Sequence, residues 1–370
     1  MTRVVHVQKV SGISGSEAHL LSLLPGLRGL GFDAEMLVLH EGEAGAAAFV
    51  DAMRAAEVPT SSLRLRFDVD PVVFARLVGR RGDIVHTHLV HADVLGLPAA
   101  ALARVPVRVS TKHGFNEFRA NRAVATADRL AARFAHRQIA ISAGLARYLA
   151  ETQGYGRDAF TVVHYGIDAG AEPPPPPAAP RLVAVGRLIA IKGFDVLLRA
   201  FARARVDVPE LTLELAGAGP LDVELRAAAP EGVTLLGRVA PISPVYERNA
   251  IAVVPSRGEG FGMVALEAAE RGRPAIVSRV GGLPEIVEHE RTGLVVPPDD
   301  AEALAAAIVS LARDPERVAA LGAAARRRAL DQFSSAAATE GVARVYREEL
   351  MRRSTAPAAS STSRKSNGTR

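Results

Sequence analysis

The stretch "RGEGFGMVALEAAERG", residues 257–272, sets Gly258, Gly260 and Gly262 around Glu259, and places Glu267 where a helix would make its second turn. A glycine-rich turn between a strand and a helix suits phosphate, because the backbone can approach closely and the helix N-terminal N–H groups face the anion. Carboxylates repel phosphate. Glu259 and Glu267 therefore call for hydroxyl groups, as the acidic residue of a dinucleotide site accepts from a ribose. Upstream, "VAVGRLIAIKGFDVLLRAF" puts Arg187 and Lys192 in another strand-to-helix turn. They read either as two solvated loop charges or as cations beside a helix N-terminus, where a diphosphate would suit the pair. A phosphate group flanked by two polyols, a nucleotide sugar, would use all of these groups.

Three further clusters could carry chemistry. In "HTHLVH", His86 and His88 share one strand face and, with His91, could imitate a metal site. No carboxylate or cysteine nearby completes a ligand set, so no metal is expected and His88 reads as lining the acceptor side of a cleft. In "FDVDP", Asp68 and Asp70 form an Asp-x-Asp pair that could hold a divalent cation, but Asp70 before Pro71 reads as a helix N-cap followed by proline at the first helical position. In "ADRLAARFAHR", Arg129, Arg133 and Arg137 recur every four residues beside Leu130 and Phe134. Such a basic stripe is either a solvated helix face or a contact for an acidic acceptor or an anionic membrane surface.

These groups need a scaffold that brings strand ends together. In the first half, β-rich runs ("RVVHV", "AEMLVLH", "DIVHTH", "VRVSTKHG", "QIAIS", "FTVVHYGI") alternate with helical patterns such as residues 16–30, which predicts parallel βαβ units. "AGAEPPPPPAAP", residues 169–180, breaks every pattern, since consecutive prolines form neither helix nor central strand. Beyond it the alternation restarts with "RLVAVGRL", "LTLELAGAG", "VTLLGRV", "IAVVPS", "PAIVS" and "GLVVP". The expected fold is α/β, with two Rossmann-like, doubly wound parallel sheets facing each other across a cleft at their C-terminal edges. The expected boundaries are 1–168 for the first domain, 169–180 for the linker and 181–335 for the second domain. A helix over 336–353 is expected to cross back to the first domain, ahead of a disordered tail over 354–370.

Composition narrows the functions. A chain of 370 residues, 48% hydrophobic and 23% charged, suits two soluble domains. It has no cysteine, which excludes disulfides, thiolate metal sites and cysteine nucleophiles. No charge-free run approaches membrane-spanning length, and a cytoplasmic protein is expected, with peripheral contact at the inner membrane face open. The net charge of +5 includes Arg364, Lys365 and Arg370 of the tail, leaving about +2 on the body, so no nucleic-acid partner is expected.

"GRLIAIKG", "AGAGP", "PSRGEGFGMVALEAAERGRPAIVSRVGGLPEIVEHERTGLVVPPDD" and "SGISGSEAHL" together resemble the group 1 family of retaining nucleotide-sugar glycosyltransferases with the GT-B fold, over roughly residues 3–350. The resemblance implies a metal-independent, cofactor-free transfer of a sugar from an NDP-sugar, UDP-sugars being commonest in the family. The acceptor would be a hydroxyl compound: lipid-linked, a natural product or a glycan. It implies that Glu259 touches the donor sugar, Glu267 the ribose, and Arg187 with Lys192 the diphosphate. Gly260, Phe261 and Gly262 would give backbone contacts beside the sugar. His113, in "STKHGFN", would sit beside the donor sugar, and the loop carrying Gly15 and Ser16 would approach the donor phosphate, with Ser16 where relatives often have a second glycine. The family's favoured account is same-face attack, the leaving phosphate oxygen deprotonating the acceptor. Epimerases and phosphorylases of the same fold, and non-catalytic sugar-binding relatives, share much of this pattern. A Rossmann oxidoreductase would need a Gly-x-Gly-x-x-Gly turn that "VQKVSGISGSEA" lacks.

Overall fold

The computed structural model describes residues 1–115, 122–156 and 158–355. Its first sheet comprises β1 (Thr2–Lys9), β2 (Phe32–His40), β3 (Thr60–Arg64), β4 (Ile84–His88), β5 (Val107–Lys112), β6 (Arg137–Ala140) and β7 (Phe160–Val162). These pair in the order β3-β2-β1-β4-β5-β6-β7, every pair parallel. The second comprises β8 (Arg181–Val185), β9 (Thr212–Ala216), β10 (Val233–Gly237), β11 (Ile251–Val254), β12 (Ala275–Ser278) and β13 (Gly293–Val296), ordered β10-β9-β8-β11-β12-β13 and again all parallel. Strands such as Ile251–Val254 are buried at every residue, as parallel strands covered by helices on both faces must be. This is the GT-B architecture.

In each sheet the strand order reverses once, between β1 and β4 and between β8 and β11. Loops leaving adjacent strands at such a point diverge to opposite faces and open a crevice. The turns after β8 and β11 carry Arg187, Lys192 and Glu259; those after β1 and β4 carry Gly15 and the residues following His88.

β3, "TSSLR", is a strand that the hydrophobic pattern does not announce, because this partly exposed edge strand lacks the apolar alternation of its neighbours. Residues 169–180 carry neither helix nor strand and are tied to the second sheet's helices. Gly170 N–H donates to Glu270 at 2.9 Å, and the buried Arg273 guanidinium donates to the Pro174 carbonyl at 3.0 Å. The chain returns at Ser334, which caps the helix Ser335–Ser354 by accepting from Ala337 N–H. That helix buries Val342, Ala343, Val345 and Tyr346 among Val4, Leu20, Leu24 and Phe32 of the first domain's core. The outgoing and returning segments meet where Ile167 N–H donates to the Phe333 carbonyl at 2.8 Å. Of the tail read as disordered, residues 356–370 lie outside the described residues.

Candidate active site

On the second-domain side, the turn after β8 runs through Arg187 to a short 3-10 turn, Ala190–Lys192, and then the helix Phe194–Asp207. The turn after β11 leads into the helix Met263–Glu270. Arg257 clamps the two turns together: its N–H donates to the Ile191 carbonyl at 2.8 Å, and its guanidinium donates to the Ala190 carbonyl at 2.6 Å and to Asp195 at 2.7 and 2.8 Å. The same guanidinium holds the Asp195 carboxyl down at about 2, so the clamp stays ionised at any working pH.

Across the clamped turns, Lys192 Nζ donates to Glu259 Oε2 at 2.6 Å. Arg187 is exposed and pairs with no carboxylate among the described residues. The free site therefore has one committed cation and one uncommitted cation facing solvent. Gly262, at φ +114, turns the chain into the helix Met263–Glu270 in a conformation that a side chain would strain. One turn further on, Glu267 accepts from Tyr246 Oη at 3.1 Å. Burial pushes the Glu267 carboxyl up to about 7, and the Tyr246 hydroxyl only partly offsets it. Its apolar surroundings thus hold Glu267 near the midpoint of its titration at neutral pH, until a ligand supplies further donors.

The first-domain side meets this loop directly. His113 follows β5, whose last residue, Lys112, is wholly buried and bonded to Asp93 at 2.6 Å and Asp128 at 2.8 Å. Two carboxylates on a buried ammonium fix the strand end that presents His113. Gly260 packs so tightly that an added Cβ would lie 2.8 Å from the His113 carbonyl oxygen. Ser142 Oγ donates to the Gly260 carbonyl at 2.5 Å. Glu285, from the second domain, accepts from the N–H groups of Ala143 and Gly144 at 3.0 and 2.8 Å and pairs with His164 at 2.8 Å. Burial raises the Glu285 carboxyl, but the His164 bond and those two N–H groups outweigh it and leave it lowered. Phe261 is buried beside Tyr165, ring centroids 5.8 Å apart.

The structure thus gathers Lys192, Glu259, Gly260, Phe261 and His113, places Arg187 on the neighbouring turn, and sets Glu267 one helical turn deeper. Gly15 and Ser16 open the helix Gly15–Gly29, where the Glu17 carboxylate turns back to accept from Ser14 N–H at 3.1 Å and Ser14 Oγ at 2.6 Å.

Two family descriptions match most of the chain. The family description "Glycosyltransferase Family 4" matches residues 13–170, and "Glycosyl transferases group 1" matches residues 179–314. Glycogen synthase of Mycobacterium tuberculosis is 32% identical over 288 residues, covering 72% of this chain and 69% of that protein. The chain belongs to the group 1, family 4 glycosyltransferases. A D-inositol 3-phosphate glycosyltransferase from Thermobispora bispora is 35% identical over 245 residues, 59% of this transferase and 57% of that protein. The crystal structure of Anabaena HepE in complex with UDP and glucose superposes with a TM-score of 0.81 over 94% of this chain and all of that one; at 20% identity the likeness is one of fold.

Three sequence readings of the transferase need correction. His91 does not join His86 and His88: its Nε2 contacts Asp68 at 3.3 Å, while His6 of β1 joins the other two. His88 lines no cleft surface; it is 1% exposed, wedged between His6 and His113. The arginine stripe is cut short: the helix Arg122–Ala132 ends before Arg133, and Arg137 belongs to β6, where it pairs with buried Glu349 at 2.7 Å, so only Arg129 and Arg133 stay exposed beside Leu130 and Phe134. Asp70 does cap its helix, accepting from Val72 and Val73 N–H groups at 2.9 and 3.2 Å. Residues that motif reading passed over are Ser142, Glu285, Tyr165, His6 and Tyr346. Their partners are far off in sequence, and only an isolated polar residue in an apolar strand, such as His6, gave a signal.

Proposed function

We propose that the transferase moves a sugar from an NDP-sugar, a UDP-sugar first among those to test, to an acceptor hydroxyl with retention of anomeric configuration and without a metal ion. The observation that carries this is the Lys192–Glu259 pair at the strand-order reversal, with Gly260 pressed against His113. Arg187 and Lys192, with the N-terminus of the helix Met263–Glu270, take the charge of the diphosphate. Its arrival draws Lys192 from Glu259, whose carboxylate then orients a donor-sugar hydroxyl and favours positive charge at the anomeric carbon. Glu267 accepts from the ribose. The bond from the anomeric carbon to the leaving phosphate oxygen breaks, a bond to the acceptor oxygen forms on the same face, and the acceptor proton passes to that phosphate oxygen.

Relatives named for glycogen synthesis, inositol phosphate glycosylation and phosphatidylinositol mannoside mannosylation support a glycan, small-molecule or lipid-linked acceptor. Peripheral membrane contact belongs to the same proposal, resting on Leu130 and Phe134, 49% and 43% exposed, beside Arg129 and Arg133. Among the described residues no helix is long and apolar enough to cross a membrane. Thermal-shift binding of UDP-, GDP-, dTDP- and ADP-sugars tests the donor, and the reading fails if none binds. Transfer abolished by EDTA and restored by Mn²⁺ would overturn metal independence.

A further inference from the structure

Beneath His113 runs a series of hydrogen bonds between groups from both ends of the chain. Tyr165 Oη bonds His113 Nδ1, and His113 Nε2 lies 2.8 Å from His88 Nδ1. His88 Nε2 lies 2.9 Å from His6 Nδ1, and His6 Nε2 lies 3.3 Å from Tyr346 Oη. Tyr346 Oη continues to His86 Nδ1 at 2.5 Å, and His86 Nε2 ends the series on Thr111 Oγ1 at 2.7 Å. Strand pairing explains the assembly: β1 and β4 set His6 beside His86, and the two-residue repeat puts His88 on the same face. The helix Ser335–Ser354 lowers Tyr346 onto that face.

His6, His86 and Tyr346 are 0% exposed. Burial pushes His6 down to about 3, helped by His19, and carries His86 and His88 well below the usual imidazole range, so these rings are neutral. A neutral imidazole donates from one nitrogen and accepts at the other. His88 and His6, bonded ring to ring, therefore share one direction, and Tyr346 closes it: its hydroxyl accepts from His6 Nε2–H when the protons run away from His113, and donates to His6 Nε2 while accepting from His86 Nδ1–H when they run toward it. His88 or His6 reversed alone would face N–H against N–H, or lone pair against lone pair, in a dry interior.

We infer that His88 and His6 are positioning residues for His113, and that these groups form one ordered chain through which Tyr346, three hydrogen bonds away, fixes the orientation and tautomer of the His113 ring. Both ring nitrogens of His113 are then engaged by protein, so the ring is a clamped wall of the cleft rather than a free base. The kinetic consequence rests on the proposed transfer reaction; the ordering of the chain does not.

The decisive measurement is NMR of the full-length protein with ¹⁵N-labelled histidine. The expected result is one tautomer each for His6, His86, His88 and His113, with scalar coupling across the His6–His88 and His88–His113 N–H···N bonds. Averaged tautomers without that coupling would overturn the inference, as would a stoichiometric bound metal in place of the coupling. Tyr346→Phe keeps the ring, packed edge-on to Phe32 at 5.5 Å, and removes only the hydroxyl. The ¹⁵N signals of His113 should shift in this variant; a change confined to His6 and His86 would mark a merely structural cluster and sink the proposal. Should Tyr346→Phe not fold, Thr111→Val cuts the far end and is read the same way. With UDP-glucose as donor, Tyr346→Phe should lower kcat by about three- to tenfold with KM within about a factor of two. No turnover of UDP-glucose by the wild-type protein would count against the proposed donor, and the NMR result alone would then decide on the chain.

Discussion

On the second-domain side of the cleft, Arg187, Lys192 and Glu259 come from two adjacent strand-to-helix turns and Glu267 from the helix that follows, whereas the first-domain side draws on His6, His88, His113, Tyr165 and Tyr346, with His6 and Tyr346 340 residues apart. One side consists of charged, glycine-rich turns in which Arg187 is exposed and Lys192 and Glu259 are partly so. The other is a hydrogen-bonded scaffold, buried at His6, His88, Tyr165 and Tyr346, in which each group is held by the next. A face that takes up a charged ligand needs cations and carboxylates near solvent, where their partners can be exchanged. A face that orients gains from buried neutral bonds that resist rearrangement.

The sharpest way to break this comparison is Glu259→Gln, which keeps the shape and removes the charge at the exchangeable pair. Turnover should fall by about 10²–10³-fold, while calorimetry finds UDP affinity changed by less than about threefold. Loss of UDP binding with turnover preserved would move Glu259 to the nucleotide and invert the assignment.

Glu267→Ala should show the opposite signature. It removes a charge-assisted bond of roughly 1.5–3 kcal/mol, so UDP and UDP-sugar should both bind about ten- to a hundredfold more weakly. Equal kcat loss without an affinity change would contradict a ribose role.

The same carboxyl sharpens the comparison through stability. Its folded pKa of about 7 stands above the ordinary 4.5, so ionising it opposes folding; that cost is absent below 4.5 and complete above 7. At pH 8, Glu267→Gln should therefore stabilise the free protein, by roughly 3 kcal/mol, and the gain should vanish near pH 4.5 in urea titrations. A gain independent of pH would mean that packing, not charge, is responsible.

The smallest effect is expected at the seam between the two sides. Glu285→Ala removes an acceptor from the N-terminus of the helix Ala143–Gln153, across the domains, at a cost of about 1 kcal/mol. Small-angle scattering should show a more open particle than the wild type, and saturating donor should restore compaction. An unchanged profile in both conditions would show that the remaining contacts, Gly260 on His113 and Ser142 on the Gly260 carbonyl among them, hold the domains without Glu285.

Much of the fold is readable from the sequence because its signals are local. Each strand from Arg181 to Val296 is a short apolar run ended by glycine, proline or a charged turn, and all six appear in the second sheet. Asp70-Pro71 reads correctly as a cap because N-cap geometry involves only neighbouring residues. β3 escapes because an edge strand needs no apolar alternation. The arginine stripe misleads because periodicity cannot tell that the helix stops at Ala132, where the chain turns to supply β6.

The site divides in the same way. Sequence by itself determined the α/β class, two sheets with their turns, and the grouping of Glu259 with Glu267 and of Arg187 with Lys192, since each pair spans one turn or one helical repeat. Tertiary structure alone decided that Lys192 meets Glu259, that Gly260 lies against His113, and that His88 is buried between His6 and His113 rather than facing a ligand. These contacts depend on strand register, on which strands neighbour one another and on the return of the last helix, and each is settled by packing the whole chain rather than by any short stretch of it.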